Sequence, residues 1–466
     1  MLLPDGLVIV LLTFGVFAAA IVFALRDNED MRHKFDYQAQ RMLKPLTRLW
    51  RGFTHGPSMP IPRQPRSAHD YFRRARDFQN KEDMEKAIAD YSEVLKRDPV
   101  NLTALMERAH LYGSIDEFDK ALADYSAAIQ INPHYKYTYG SRGWVYLQLK
   151  DLEHAREDMD RTIALDSRDA YPFAMRGHIH AQLGNLKQAI ADMDSAIDLE
   201  PKTADYYEHR GYYQLKLENY NWALVDYTEA VKLQRDDPRP LYWRAYVFVK
   251  RREYNKALED LDKILQLKPN YVEARTLKAE IYRMTGKDEL VLQEYNALIQ
   301  MNPQDGNNYY LRGGIYQIRI EFDKAIADFS EAIAKDSNVA MAYLLRGVCQ
   351  YRKKNYDAAL ADFSESIKLN AEFAPAYAER AATYRDLNND EAAQADIAEA
   401  RRLDPKLFET YYDSAGRYQE YRDVEGAIID YKRAIEVQPN HPKAEEAHQK
   451  VQALMGDQQE AGPNQA

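Results

Sequence analysis

Apolar and polar positions along this chain follow a short period and a long one. Within blocks of about a dozen residues, apolar side chains return every third or fourth position, as in a helix that buries one face. Two such blocks and the polar turn between them form a unit, and the unit returns every 34 residues. Arg312-Gly313-Gly314-Ile315-Tyr316, with Asp323, Ala325, Asp328, Phe329 and Ala332 behind it, shows the pattern well. Thirty-four residues on, it becomes Arg346-Gly347 with Ala359, Asp362 and Phe363. A fixed period of this size predicts a helical repeat array, in which each hairpin is marginal alone and stable when stacked.

Pro99, Pro133, Pro201, Pro269, Pro303, Pro405 and Pro439 share one frame, which places eleven units over residues 68–441 without insertion. The fourth position is large in ten units, from Tyr71 to Tyr411. The eighth is Gly or Ala in all eleven, as at Ala75, Gly143 and Gly347. The twentieth is Ala in ten, with Val291 the exception. A small eighth residue lets the two helices of a hairpin approach closely.

These positions resemble the tetratricopeptide repeat family, and the resemblance covers residues 68–441. It implies an all-α solenoid, a right-handed superhelix of helix-turn-helix repeats, that binds proteins or peptides in its concave groove. The seventh position departs from the family's pattern. Where an apolar residue is usual, nine units carry Arg, from Arg74 to Arg380, and an Asp follows sixteen residues later each time. The seventh unit changes both together, to Lys278 and Glu294. The pairing predicts an ion pair that sets the register of the hairpin, with Arg suited to bidentate contact. The seventh unit, the Gln234–Pro240 junction and the eleventh unit are irregular. In the eleventh, Ser414 leaves Asp430 without its expected partner.

Residues 6–25, GLVIVLLTFGVFAAAIVFAL, carry no charge and are long enough as a helix to span about 30 Å of bilayer. Basic residues follow the run rather than precede it, against a cleaved signal peptide and in favour of a single-pass anchor (residues 1–26) with the array in the cytoplasm. Residues 35–53 are basic and amphipathic and can lie on an anionic membrane or pack on the first repeat. Residues 56–65 hold four prolines, a semi-rigid spacer that closes the 27–67 linker. A polar capping helix is expected over 442–455, and residues 456–466 have no reason to be ordered.

The net charge of -10 combines nine Lys/Arg against five Asp/Glu in residues 1–66, which is +4, with -14 in the remainder. An acidic array argues against nucleic acid as a partner. Cys349 is the one cysteine, so a disulfide framework is excluded. No phosphate-binding glycine loop or HExxH occurs, and His178 and His180 stand two apart on one helix, pointing to different faces. Neither a cofactor nor a metal nor enzymatic activity is expected.

By the resemblance, positions two, five, six, nine, twelve and thirteen of each unit line the groove. They give Tyr137 and Trp144, Tyr171, Tyr212, then Tyr242, Trp243 and Tyr246 in the first six units. Further on come Tyr310, Leu311, Leu344, Leu345, Val348 and Tyr351. Residues 339–351 are apolar nearly all round, so either the array or a ligand covers them. The carboxylate-holding residues of the family's chaperone-tail binders are missing: Phe72, Arg76, Met106, Glu107, Tyr137 and Ser141 stand in the first three units. The expectation is a membrane-anchored scaffold that binds partner proteins or peptides. The alternative is a non-catalytic regulatory or assembly subunit of a membrane enzyme complex.

Overall fold

A computed structural model describes residues 65–335, 340–420 and 422–460. The expected anchor at 6–25, the basic stretch at 35–53, nearly all of the 56–65 spacer and the last six residues lie outside the described residues. Among the described residues there are twenty-three α-helices and no strand, and none of these helices is long and apolar enough to cross a membrane. The chain divides into two compact units, the first ending at Arg252 and the second beginning at Glu253.

Each repeat supplies a first helix of 13 or 14 residues and a second of 14, and in the repeats that lie within one unit the two pack antiparallel. The array opens with a capping box: the Ser67 hydroxyl accepts from the Asp70 amide at 3.1 Å, and the Asp70 carboxylate accepts from the Ser67 amide at 3.2 Å. The small eighth residue is required by contact. A Cβ on Gly143 would stand 2.5 Å from Met159 Cε, and one on Gly347 2.6 Å from the Phe363 ring. The twentieth-position alanines face the same seam and are fully buried, as at Ala87, Ala155 and Ala359.

The turn inside each hairpin was not legible from its residues. Position fifteen is left-handed in all eleven repeats, yet only Gly184 and Gly286 are glycines there. The others include Glu82, Lys150, Asn388 and the β-branched Ile320 at φ 63. Tertiary packing of the two helices overrides the local preference.

The Arg–Asp pairs that lie within one unit are present, and they do more than join one hairpin. Arg312 Nε and Nη2 donate to Asp328 at 2.8 and 2.6 Å, while its Nη1 donates to Asn296 of the preceding repeat at 2.6 Å. Arg108 likewise holds Asp124 and Ser92, and Arg176 holds Asp192 and Asp160. One guanidinium therefore ties three helices, its own, its partner and the one before. The fourth-position ring lies beneath it, at 5.6 Å for Tyr309, and in several repeats its hydroxyl reaches back, as Tyr139 does to the Pro133 carbonyl at 3.2 Å. The seventh repeat conserves this wiring with other residues. Arg275 donates to the Pro269 carbonyl at 3.2 Å and to Glu294 at 2.9 Å, while Lys278 bonds Asp262 at 2.7 Å and lies 3.2 Å from Glu294.

In the eleventh repeat, Asp430 is partnered after all. Arg433, one turn on in the same helix, donates to it at 3.0 Å. Beyond this repeat the last helix, Ala444–Glu460, packs on Val424–Val437 and runs past the expected end at Met455. Gly456 costs a helix only about 1 kcal/mol, which the flanking helix-formers offset.

Candidate functional site: the groove of the fifth and sixth repeats

The sequence-predicted groove residues divide sharply. Several are cement between repeats. Trp144 is pressed against Gly113, where a Cβ would meet its ring at 3.2 Å, and its indole nitrogen is buried without a hydrogen bond. Tyr171 packs on Met159, Met175 and Ile179. Leu311 joins the core around Val291 and Tyr295, and Tyr310 and Leu345 the core around Phe329 and Cys349. Leu344 is buried beside Phe363, with Val348 and Tyr351 against the same cluster. Tyr137 sits edge-on to Tyr135, with the Lys136 ammonium 4.9 Å from its ring.

Tyr212, Tyr242, Trp243 and Tyr246 are brought together. The first helix of the fifth repeat, Ala204–Lys216, and that of the sixth, Pro238–Lys250, present them to each other. Trp243 is the centre, 6.0 Å from Tyr212, 5.5 Å from Tyr242 and 5.9 Å from Tyr246, edge-on in each case. All four rings are half-buried, so part of each faces solvent. Such rings offer large rigid contact area at little entropic cost.

Beside the rings lies an ionic cluster that aromatic residues alone did not announce. Asp205, Glu208 and Tyr212 fall at three- and four-residue spacing on one face of their helix. Arg239 does the same with Tyr242, Trp243 and Tyr246. Arg239 folds back on the residue that caps its own helix, donating from Nε and Nη2 to Asp237 at 2.9 and 2.8 Å. Its guanidinium stands 3.8 Å from Asp205 and 3.7 Å from Glu208, beyond hydrogen-bond distance. One oxygen of each carboxylate is buried without a hydrogen-bond donor. Burial pushes Glu208 up to about 8, against the pull of Arg239, and raises Asp205 as well.

Two histidines neighbour the cluster, His209 within the field of Arg239. The His178 and His209 rings meet edge-on at 4.2 Å, and the Tyr213 hydroxyl bonds His178 Nδ1 at 2.7 Å. Burial lowers His209 to about 4 and His178 well below its ordinary value, so both are neutral at pH 7. His180, two residues on, turns toward Asp192 instead, at 3.9 Å. Among the described residues no cluster has the arrangement of a metal site. Asp205, Glu208, His209 and Arg239 occupy groove positions two, five and six. The positional rule that chose Tyr212 and Trp243 points to them equally; attention to aromatic and apolar residues passed them over.

Profiles described as tetratricopeptide repeat match residues 72–136, 242–306 and 321–377, and 137–169 and 171–203, together more than half of the chain. The chain belongs to the tetratricopeptide repeat family, whose arrays are protein-interaction scaffolds. No curated protein sequence matches it. Among solved structures it is similar to a tetratricopeptide repeat protein from Parabacteroides merdae, at 21% identity over 56% of this chain and 98% of that one, with a TM-score of 0.40. Similarity extends to the yeast protein Tom70, at 14% identity over 84% and 96% of the two chains and a TM-score of 0.34. YrrB, described as having an unusual peptide-binding site, matches at 19% identity over 40% and 97%, with a TM-score of 0.36.

Proposed function

We propose that this protein is a membrane-anchored scaffold whose array captures a segment of a partner protein in the groove of the fifth and sixth repeats. The observation that carries the site is the half-exposed cluster of Tyr212, Tyr242, Trp243 and Tyr246. The other groove candidates are largely spent on holding repeats together. Anchoring rests on the uncharged run at 6–25 and the basic residues after it, which favour an array on the cytoplasmic side.

The test is crosslinking in native membranes followed by recovery of the full-length chain. Tyr242→Ala, Trp243→Leu and Tyr246→Ala together should abolish the captured partner while thermal unfolding stays cooperative; an unchanged set of partners refutes the groove. Deleting residues 1–26 should release the array from membranes yet leave capture intact. Loss of capture on that deletion supports an anchor-dependent subunit of a membrane complex instead.

A further inference from the structure

The ionic cluster beside the aromatic rings is short of positive charge where it is most enclosed. Three carboxylates, Asp205, Glu208 and Asp237, surround the Arg239 guanidinium, which bonds to Asp237. The neighbouring histidines are held neutral and supply no charge. Lys216 and Lys250 lie over the rings of Tyr212 and Tyr246, at the far ends of their helices. Lys216 is eight residues beyond Glu208, roughly 12 Å along the helix. Gln234 hydrogen-bonds the Asp205 side chain, yet one oxygen of Asp205 and one of Glu208 stay buried with no donor, an arrangement that costs free energy until one is provided.

A buried hydroxyl behind the cluster is unsatisfied too. Tyr227 is fully buried, its ring passing within 3.2 Å of where a Gly211 Cβ would be. Its hydroxyl has no hydrogen-bond partner and lies within electrostatic reach of Glu208 and Tyr212.

The second unit shows how this chain fills such a place. Glu379, at groove position six of the tenth repeat, meets Arg433 Nη2 of the eleventh repeat at 2.5 Å, a close ion pair without hydrogen-bond alignment, against 3.7–3.8 Å for Arg239 and the two acids of the fifth repeat. The inserted guanidinium lies 5.2 Å from the Tyr351 ring. A groove carboxylate, an aromatic wall and a guanidinium delivered from another repeat make one buried assembly. The fifth and sixth repeats hold the carboxylates and the wall.

Resting on the groove reading above, we infer that this place receives a lysine or arginine side chain of the partner segment, its cationic head on Asp205 and Glu208 and its stem along Tyr212 and Trp243. Charge-assisted hydrogen bonds at 2.7–2.9 Å would satisfy the two orphaned oxygens. The rings favour a cation over their faces and cover the aliphatic stem.

The experiment probes the full-length protein, in detergent, with an array of random dodecapeptides. Bound sequences should be enriched in Arg or Lys at one position. Substituting that position with Gln, or the protein with Asp205→Asn and Glu208→Gln together, should weaken binding by about ten- to a hundredfold. Unchanged circular dichroism and an unfolding midpoint no lower than the original exclude misfolding of the isosteric variant. Peptides captured without a basic preference overturn the inference and leave the groove reading standing. Failure to capture any peptide removes both. A synthetic peptide of residues 35–53 that binds the wild-type protein, loses binding in the double variant and displaces the array peptides would make the occupant the chain's own basic segment, and this too overturns the assignment to a partner.

Discussion

The groove of the fifth and sixth repeats and that of the ninth and tenth are built from equivalent positions and end differently. In the second unit the array covers its own groove. Val424–Val437 of the eleventh repeat packs back on Ala374–Asp386 of the tenth. Arg352 of the ninth repeat reaches across to Asp423, donating at 3.1 and 3.0 Å with both side chains nearly fully buried. Arg385 pairs with Glu436, and Glu379 accepts from the Tyr411 hydroxyl at 3.2 Å besides meeting Arg433. In the first unit the same face carries buried acids without such a match. The comparison separates groove residues that complete the fold from groove residues that await something.

The largest break in that comparison comes from removing the inserted cation. Arg433→Met takes the cation from Asp430 and from Glu379, which keeps only the Tyr411 hydroxyl, both acids being about 95% buried in a site that already pushes Glu379 up to about 7 by desolvation. Loss of one partner from a buried pair costs about 3–5 kcal/mol. Urea unfolding of the full chain, followed by alkylation of the fully buried Cys349 as a local probe, should show the second unit opening first. A stability loss under about 1 kcal/mol would mean that the closure contributes little.

Next in size is Arg312→Met. It removes a side chain that ties three helices and leaves Asp328, 5% exposed, with no donor from position seven. A loss of about 2–3 kcal/mol is expected, and pairing it with Asp328→Leu should restore most of it. If the single variant unfolds with unchanged midpoint and cooperativity, the pairs do not set register.

The first unit answers in the opposite direction. Glu208 binds its proton more tightly when folded, with a value near 8 against an ordinary 4.5, because burial disfavours its charge. Between these values the folded chain holds a proton that the unfolded chain has lost. The contribution to stability is therefore full below pH 4.5 and falls as pH rises through 8. His209, lowered to about 4, acts at the other end: its contribution is lost as pH drops below 6.5. Glu208→Gln should flatten the alkaline limb and stabilise the first unit at pH 8 by on the order of 2 kcal/mol. A variant less stable than the parent at pH 8 would mean that Arg239 already compensates the charge.

How much of this was written in the sequence follows from what kind of interaction each feature uses. The hairpins, their seam of glycine and alanine and the Arg–Asp pairs recur at fixed spacing, so repetition alone reveals them. The bond that arginines such as Arg108, Arg176 and Arg312 send to the preceding repeat escaped, because Ser92, Asp160 and Asn296 share a position but not a residue type. The closure of the tenth-repeat groove escaped for a different reason. Arg352 and Asp423 are 71 residues apart and meet once, through packing that no period encodes. The irregular eleventh repeat was visible, but its meaning was not, since Arg433 replaces the missing partner from within its own helix.

The smallest effect tests the turns, where the two units differ by residue alone. Gly184 in the first and Ile320 in the second hold the same left-handed place, at φ 81 and φ 63. A β-branched side chain there crowds its own backbone by roughly 1–2 kcal/mol, whereas glycine is free of that strain but loses more entropy on folding. Ile320 is 48% exposed, so replacing it forfeits little burial. Ile320→Gly should therefore stabilise the second unit by about 0.5–1 kcal/mol, and Gly184→Ile should destabilise the first by somewhat more. Urea midpoints measured on the two variants decide it. Should both move downward, the Ile320 side chain contributes packing that outweighs its backbone strain, and the turn sequence carries information that its dihedral angle alone does not.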